Sequence, residues 1–152
     1  MGGVWAVNPA GGAGTRLWPL ARSSSPKFLH DLTGAVRSLL QTTWDRLEPL
    51  CVDHIMVVTG VLHESAVLAQ LPRLALDNLV AEPSPRDSMA AIGLAAAMLE
   101  HRDPESVIGS FAADHVIGEP DVFADCVREA VRVARTGYVV TISIAPTLPA
   151  TG

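Results

Sequence analysis

Short apolar, β-rich runs alternate with helical patterns along almost the whole chain, and that alternation leaves few folds open. Residues 4–7 form an apolar run stopped by Asn8-Pro9 and a glycine cluster. Residues 55–59 form a second run closed by Gly60, residues 79–81 a third ended by Pro83 and Pro85, and residues 107–112 a fourth. A fifth, over residues 138–144, is rich in β-branched side chains that suit a pleated surface. Between these runs the spacing predicts helices. Ser38 and Gln41 make a capping-box pair ahead of a helix that runs to about Leu47. A weaker helical segment spans residues 62–71 and ends at Pro72. Asp87 or Ser88 can cap an Ala-rich helix over residues 89–101. Pro120-Asp121 opens a fourth, with apolar residues at Val122, Phe123, Cys126, Val127, Ala130, Val131 and Ala134 and a stop at Gly137. Strand–helix alternation implies parallel strands joined by crossover helices. Runs this apolar need cover on both faces. The expected fold is α/β: a doubly wound, mostly parallel, Rossmann-like sheet with helices on both sides.

A length of 152 residues suits one domain, and a chain of 49% apolar and 18% charged residues has the means to bury a core rather than stay disordered. The net charge of −5 argues against a nucleic-acid surface, which carries a broad basic patch. An acidic protein that handles a polyanion must concentrate its few cations or recruit a metal. Of the eleven basic side chains only one is a lysine, Lys27. Cys51 and Cys126 lack motif spacing and each lies in an apolar stretch, so both are expected as reduced core residues of a cytoplasmic protein. The start of the chain lacks the basic region of a signal peptide, and no apolar run reaches the roughly 20 residues of a membrane span.

The first apolar run leads into Ala10-Gly11-Gly12-Ala13-Gly14-Thr15-Arg16-Leu17. Glycines let a backbone turn through positive φ and approach a ligand closely, so that successive N–H groups converge on phosphate oxygens. Two familiar loops do not fit. A dinucleotide fingerprint would need glycine where Leu17 stands, and a Walker A loop would need glycine before the lysine, where Lys27 has Pro26. Arg16 can grip phosphate through a bidentate fork, and Lys27 can add a compact charge.

The pattern Gly11-Gly12-Ala13-Gly14-Thr15-Arg16-Leu17-Trp18-Pro19-Leu20, followed by Pro26-Lys27, resembles the signature of the sugar-phosphate nucleotidyltransferases. With Trp18-Pro19-Leu20-Ala21-Arg22 it is most similar to the mannose-1-phosphate guanylyltransferases. The resemblance implies a loop that holds the nucleotide triphosphate, with Ala10, Gly11, Gly12, Gly14 and Thr15 binding nucleotide. Arg16 and Lys27 would then neutralise charge during transfer. Asn8-Pro9 departs from the aliphatic residues usual in that family's first strand, and Pro9 is expected to end the strand early.

Glu82-Pro83-Ser84-Pro85-Arg86-Asp87-Ser88 lies between the third run and the third helix. Glu82 or Asp87 can accept from the N1 and N2 donors of guanine while Arg86 faces its O6. The same residues also serve as plain helix caps, with Arg86 solvated. Similarity to the guanylyltransferase base segment favours nucleotide binding by Glu82, Arg86, Asp87 and Ser88. Asp114, in Ala112-Ala113-Asp114-His115, follows the fourth run, where a carboxylate can hold Mg²⁺ together with substrate phosphates. The resemblance makes Asp114 the Mg²⁺ ligand. His115 either orients it, contacts sugar or is a strand-end residue.

Residues 142–152 resemble the family's G-I-x-P-T-x-P-x-T-G, after which the family continues for about as much chain again. The resemblance therefore covers this whole chain but only the first part of the family's catalytic domain. It implies a truncated chain whose sugar-binding residues and second metal carboxylate lie outside it. It also implies GTP and mannose 1-phosphate as partners, with no membrane or nucleic acid, and leaves room for a homo-oligomer of a longer form. Two alternatives stand beside this: a non-catalytic nucleotide-binding module that works with a partner chain, and a transferase for another base or sugar phosphate.

Overall fold

In the computed structural model the described residues are 3–12, 17–84 and 86–145. The chain forms two compact units, Met1–Ile117 and Gly118–Gly152.

In the first unit, four strands build one sheet: β1 (Val4–Ala10), β2 (Ile55–Gly60), β3 (Leu79–Glu82) and β4 (Val107–Ser110). All pairings are parallel and the spatial order is β3-β2-β1-β4. Three helices connect them: α1 (Leu39–Leu47), α2 (Glu64–Gln70) and α3 (Asp87–Arg102). Alternation along the strands sorts the core into two faces. Trp5, Val7, Met56, Val58 and Val80 pack against Ala91, Ala95 and Leu99 of α3. These small alanines at i, i+4 spacing let α3 lie close on the sheet, and each large aliphatic buried there contributes about 1.5–3 kcal/mol. On the other face Ala10 and Val57 pack with Phe28, Leu40 of α1, and Val67 of α2. The expected two-sided α/β sheet is thus the fold of this unit.

Local signals mostly act as expected. Ser38 accepts from the Gln41 N–H while the Gln41 side chain accepts from the Ser38 N–H, closing the capping box of α1. The weaker 62–71 segment splits into a 3₁₀ turn (Val61–His63) and α2.

Three expectations need correction. β1 does not stop at Asn8-Pro9 but runs to Ala10, with Pro9 in register with Val58. In a strand the N–H and C=O of one residue point to the same neighbour, and the Pro9 carbonyl faces the β4 side, where it accepts from Ala113 N–H at 3.3 Å. The missing proline donor therefore falls just beyond the end of β4, where the ladder is finishing. The second correction concerns residues 138–144, which form no strand. A strand exists only through its ladder, and among the described residues of the second unit no strand is available to pair with it. Third, Cys126 is exposed; only Cys51 is a buried cysteine, and both are free thiols.

The second unit contains α4 (Pro120–Ala134), opened by proline in its first turn and followed by Gly137 at φ 96°. Arg128 pairs with Asp125 and Arg132 with Glu129 along its exposed surface. Most of the 142–152 motif, from residue 146 onward, lies outside the described residues. No helix among the described residues is long and apolar enough to cross a membrane.

One position in β4 is crowded by a neighbouring ring. A Cβ on Gly109 would sit 2.7 Å from the Phe111 ring.

Candidate active site

Because the four strands are parallel, their carboxyl ends share one edge. Gly11-Gly12 follow β1 there, Glu82 and Arg86 follow or end β3, and Asp114 comes shortly after β4. The chain leaves β1 towards β2 and β3 and returns on the opposite side to make β4. The reversal falls between β1 and β4, which is where open α/β sheets leave a crevice for ligands. A cavity of about 220 Å³ lies away from this edge: Trp44, Asp53, Arg73 and Asn78 line it together with Ile55, the first residue of β2.

The loop after β1 is tied down before it turns. Ala10 is fully buried, and its carbonyl accepts from the Thr59 hydroxyl at 2.8 Å. Gly11 and Gly12 are exposed. Gly12 has φ +93°, and a Cβ there would meet nothing within 4 Å. Conformation, not crowding, demands glycine. Gly14, Thr15 and Arg16 lie outside the described residues.

Lys27 is positioned by its neighbours. Arg22 and Ser25 exchange backbone hydrogen bonds in a tight bridge, and the 3₁₀ turn Lys27–Leu29 follows at once. Phe28, 1% exposed, anchors that turn in the core. His30 closes it, its N–H donating to the Lys27 carbonyl while its ring bonds Ser25. The Lys27 ammonium then forms an ion pair with Oδ2 of Asp114. The two groups that the sequence assigns to separate tasks, phosphate charge and metal binding, are partners of each other. Both side chains remain about one-third exposed, at 35% and 28%, so ligands can reach them.

The segment carrying Asp114 is held from two sides. Ala113 is buried and bonded to Pro9, as above. On the other side, the buried Thr43 hydroxyl of α1 donates to the Ala113 carbonyl at 3.4 Å. Arg46 of α1 donates to Thr43 Oγ1 at 3.2 Å and to the His115 carbonyl at 3.4 Å. Burial lowers the pKa of the half-buried Arg46 guanidinium from its ordinary value.

Glu82, the last residue of β3, is in register with Gly60. Arg86, not Asp87 or Ser88, occupies the N-cap of α3, and no side chain caps it. A cap needs a short acceptor in extended backbone; Arg86 offers only donors, and Asp87, at φ 64°, stands in the left-handed region instead. The capping alternative for Asp87 and Ser88 is therefore wrong, and both are exposed beside Arg86. Among the described residues no group of three or more His, Cys, Asp or Glu is gathered to hold a metal. Thr43, Arg46 and Thr59 escaped the sequence reading. Their signal was faint: a threonine and an arginine three apart on one helical face, and a threonine at a strand end.

The Nucleotidyl transferase family profile matches residues 9–152. The chain is 39% identical to the mannose-1-phosphate guanylyltransferase of Escherichia coli K12 over 98% of its own length, but over only 32% of the relative. It has the same identity and coverage against mannose-1-phosphate guanylyltransferase ManC of Salmonella typhimurium. It thus spans about a third of the length of these relatives. Among solved structures it is similar to mannose-1-phosphate geranyltransferase from Thermus thermophilus, with a TM-score of 0.75 and 28% identity over 88% of this chain and 39% of that one. With the family profile spanning almost all of its length, and an all-parallel sheet whose glycine loop sits at the strand-order reversal, the chain belongs to the nucleotidyl transferase family.

Proposed function

We propose that this chain is the nucleotide-binding part of a mannose-1-phosphate guanylyltransferase, a protein that joins GTP and mannose 1-phosphate into GDP-mannose and pyrophosphate. The observation that carries the reading is the Lys27–Asp114 ion pair beside the β1 loop. It concentrates the chain's one ammonium and a carboxylate where an acidic protein must meet a triphosphate. Adjacent strands lie about 4.8 Å apart, so the ends of β1 and β3 are separated by roughly 10 Å. A nucleotide laid along the edge would place its phosphates on Gly11, Gly12, Gly14, Thr15 and Arg16. Its guanine would meet Glu82, Arg86, Asp87 and Ser88.

In the reaction an oxygen of the sugar phosphate attacks the α-phosphorus of GTP in line, and pyrophosphate departs. Both reactants are anions, so positioning and charge neutralisation are the main work of the protein. Arg16 and Lys27 supply cations at the phosphates. Asp114 suits Mg²⁺, which needs only one or two carboxylates and completes its shell with water and phosphate oxygens. Bound there, the metal would add positive charge to the transferring phosphoryl group. With Asp114 holding the metal, Lys27 would be free to meet the phosphates.

The test is pyrophosphate release with mannose 1-phosphate and GTP, ATP or dTTP in turn. It is run on this chain and on a chain continued past Gly152 with the matching segment of the Escherichia coli relative. GTP preference in the longer chain is expected; equal use of ATP would sink the guanylyl assignment. The same assay separates a second reading, a nucleotide-binding module without catalysis. GTP binding without pyrophosphate release in both chains would select it.

A further inference from the structure

The site's two charged partners come from segments far apart in sequence, and a single helix touches the supports of both. At its start, α1 is joined to the Lys27 segment: the Leu39 N–H donates to the His30 carbonyl at 3.1 Å. A second tie runs through Gln70, whose amide donates to the Leu29 carbonyl at 3.0 Å. Gln70 is itself held by α1, for its side-chain oxygen accepts from Ser38 Oγ at 2.5 Å and its carbonyl from the Gln41 amide at 3.1 Å. One turn further along, Thr43 and Arg46 hold the carbonyls of Ala113 and His115, the residues on either side of Asp114.

We propose that Thr43 and Arg46 are positioning residues that clamp the backbone on both sides of Asp114 and so fix its carboxylate for the metal–nucleotide complex. This rests on the metal role proposed for Asp114. The chemistry of the clamp is internally consistent. A hydroxyl has one donor and spare acceptor capacity, and Thr43 uses both: it accepts from Arg46 and donates to Ala113. Thr43 is fully buried, so its hydroxyl would be costly without these partners. Arg46 reaches two acceptors with one planar group, which lysine cannot reproduce. Neither residue touches a reacting atom. Their effect passes through the direction in which the 113–115 backbone aims the Asp114 side chain, as outer-shell partners of metal ligands do.

Two measurements on this chain test the clamp. The first is hydrogen exchange at the Ala113 amide, which bonds Pro9 and needs no ligand. Thr43→Val and Arg46→Met should speed it at least tenfold while amides within β4 stay unchanged, and Thr43→Ser should restore the original rate. The second is GTP binding with Mg²⁺ and with EDTA. Removing an outer-shell partner typically weakens metal affinity about 10–100-fold. The variants should therefore lose about tenfold or more of the Mg²⁺-dependent affinity and keep the EDTA value. If Thr43→Val and Thr43→Ser behave alike, or if both GTP affinities fall together, the clamp is refuted. Should Thr43→Val or Arg46→Met fail to fold, Thr43→Ser and Arg46→Lys carry the same comparison: the first should match the parent and the second should not. A parent chain that ignores Mg²⁺ overturns the metal role of Asp114 instead, and the exchange data then judge the clamp alone.

Discussion

Lys27 and Asp114 meet as an ion pair at the carboxyl edge of the sheet, although they belong to a turn before α1 and a loop after β4. Ligand-free, the pair satisfies both charges at the position where a triphosphate and its metal would later divide them. An exposed pair of this kind contributes little to stability, on the order of 0–1 kcal/mol once solvent screening is counted. The pair is better understood through what each group does when they part.

Lys27→Ala should therefore leave thermal unfolding almost unchanged. If the proposed transfer holds, it should lower turnover by a chain continued past Gly152 by ~10²–10³, the usual cost of removing one charge contact from a transition state. Calorimetric melting and a pyrophosphate assay check the two halves. Near-normal turnover would remove Lys27 from the mechanism.

Asp114→Asn makes a sharper prediction because its two effects have opposite signs. Without metal, the carboxylate repels phosphate and occupies Lys27; the amide does neither, so GTP affinity in EDTA should rise by several-fold. With Mg²⁺ the parent should gain affinity and the variant should not. Titration calorimetry in both conditions reads this crossover, and parallel Mg²⁺ responses in the two proteins would contradict it.

Asn8 offers a test of stability. It is completely buried in the central strand, and neither end of its amide has a hydrogen-bond partner among the described residues. An unpartnered buried amide costs about 1–3 kcal/mol, and a β-branched residue suits a strand. Asn8→Val should raise the unfolding free energy by an amount of that order, measured by urea titration at fixed slope. A loss of stability would mean that the amide is needed where it is.

The thiols should differ in reactivity. Burial pushes the Cys51 thiol up to about 11, whereas Cys126 is exposed. Near pH 8 an alkylating reagent should modify Cys126 first and Cys51 only on unfolding, as mass spectrometry of timed samples would show. The pH dependence follows in sign. The folded chain holds the Cys51 proton more tightly than the unfolded one, whose thiol titrates near its ordinary value of about 8.5. This contribution to stability is full below that value and is lost as the pH climbs towards 11. Melting temperatures across this range should fall more steeply for the parent than for Cys51→Ala.

Periodicity made the sheet and its helices legible, because β1 to β4 and α1 to α4 each carry a local signal that tertiary packing did not override. The closed capping box at Ser38 and Gln41 is the clearest case. Residues 138–144 show the limit: β-branched composition states a preference, but a strand needs a neighbour. At the site, the glycines, Lys27 and Asp114 stood out through loop chemistry. Their pairing did not, because which side chains meet across an edge depends on strand order. Thr43 and Arg46 were hidden for a related reason. Their partners are main-chain carbonyls, which no residue identity announces.

The contact between Gly109 and Phe111 couples what the two positions can hold. Any mutation giving Gly109 a side chain drives a Cβ into the Phe111 ring, and Phe111 is hydrogen-bonded through its N–H to Val7 just ahead of the Asp114 segment. Gly109 can therefore gain a side chain only if the Phe111 ring swings aside or shrinks. What happens at Gly109 is thus felt first by a ring three residues before Asp114.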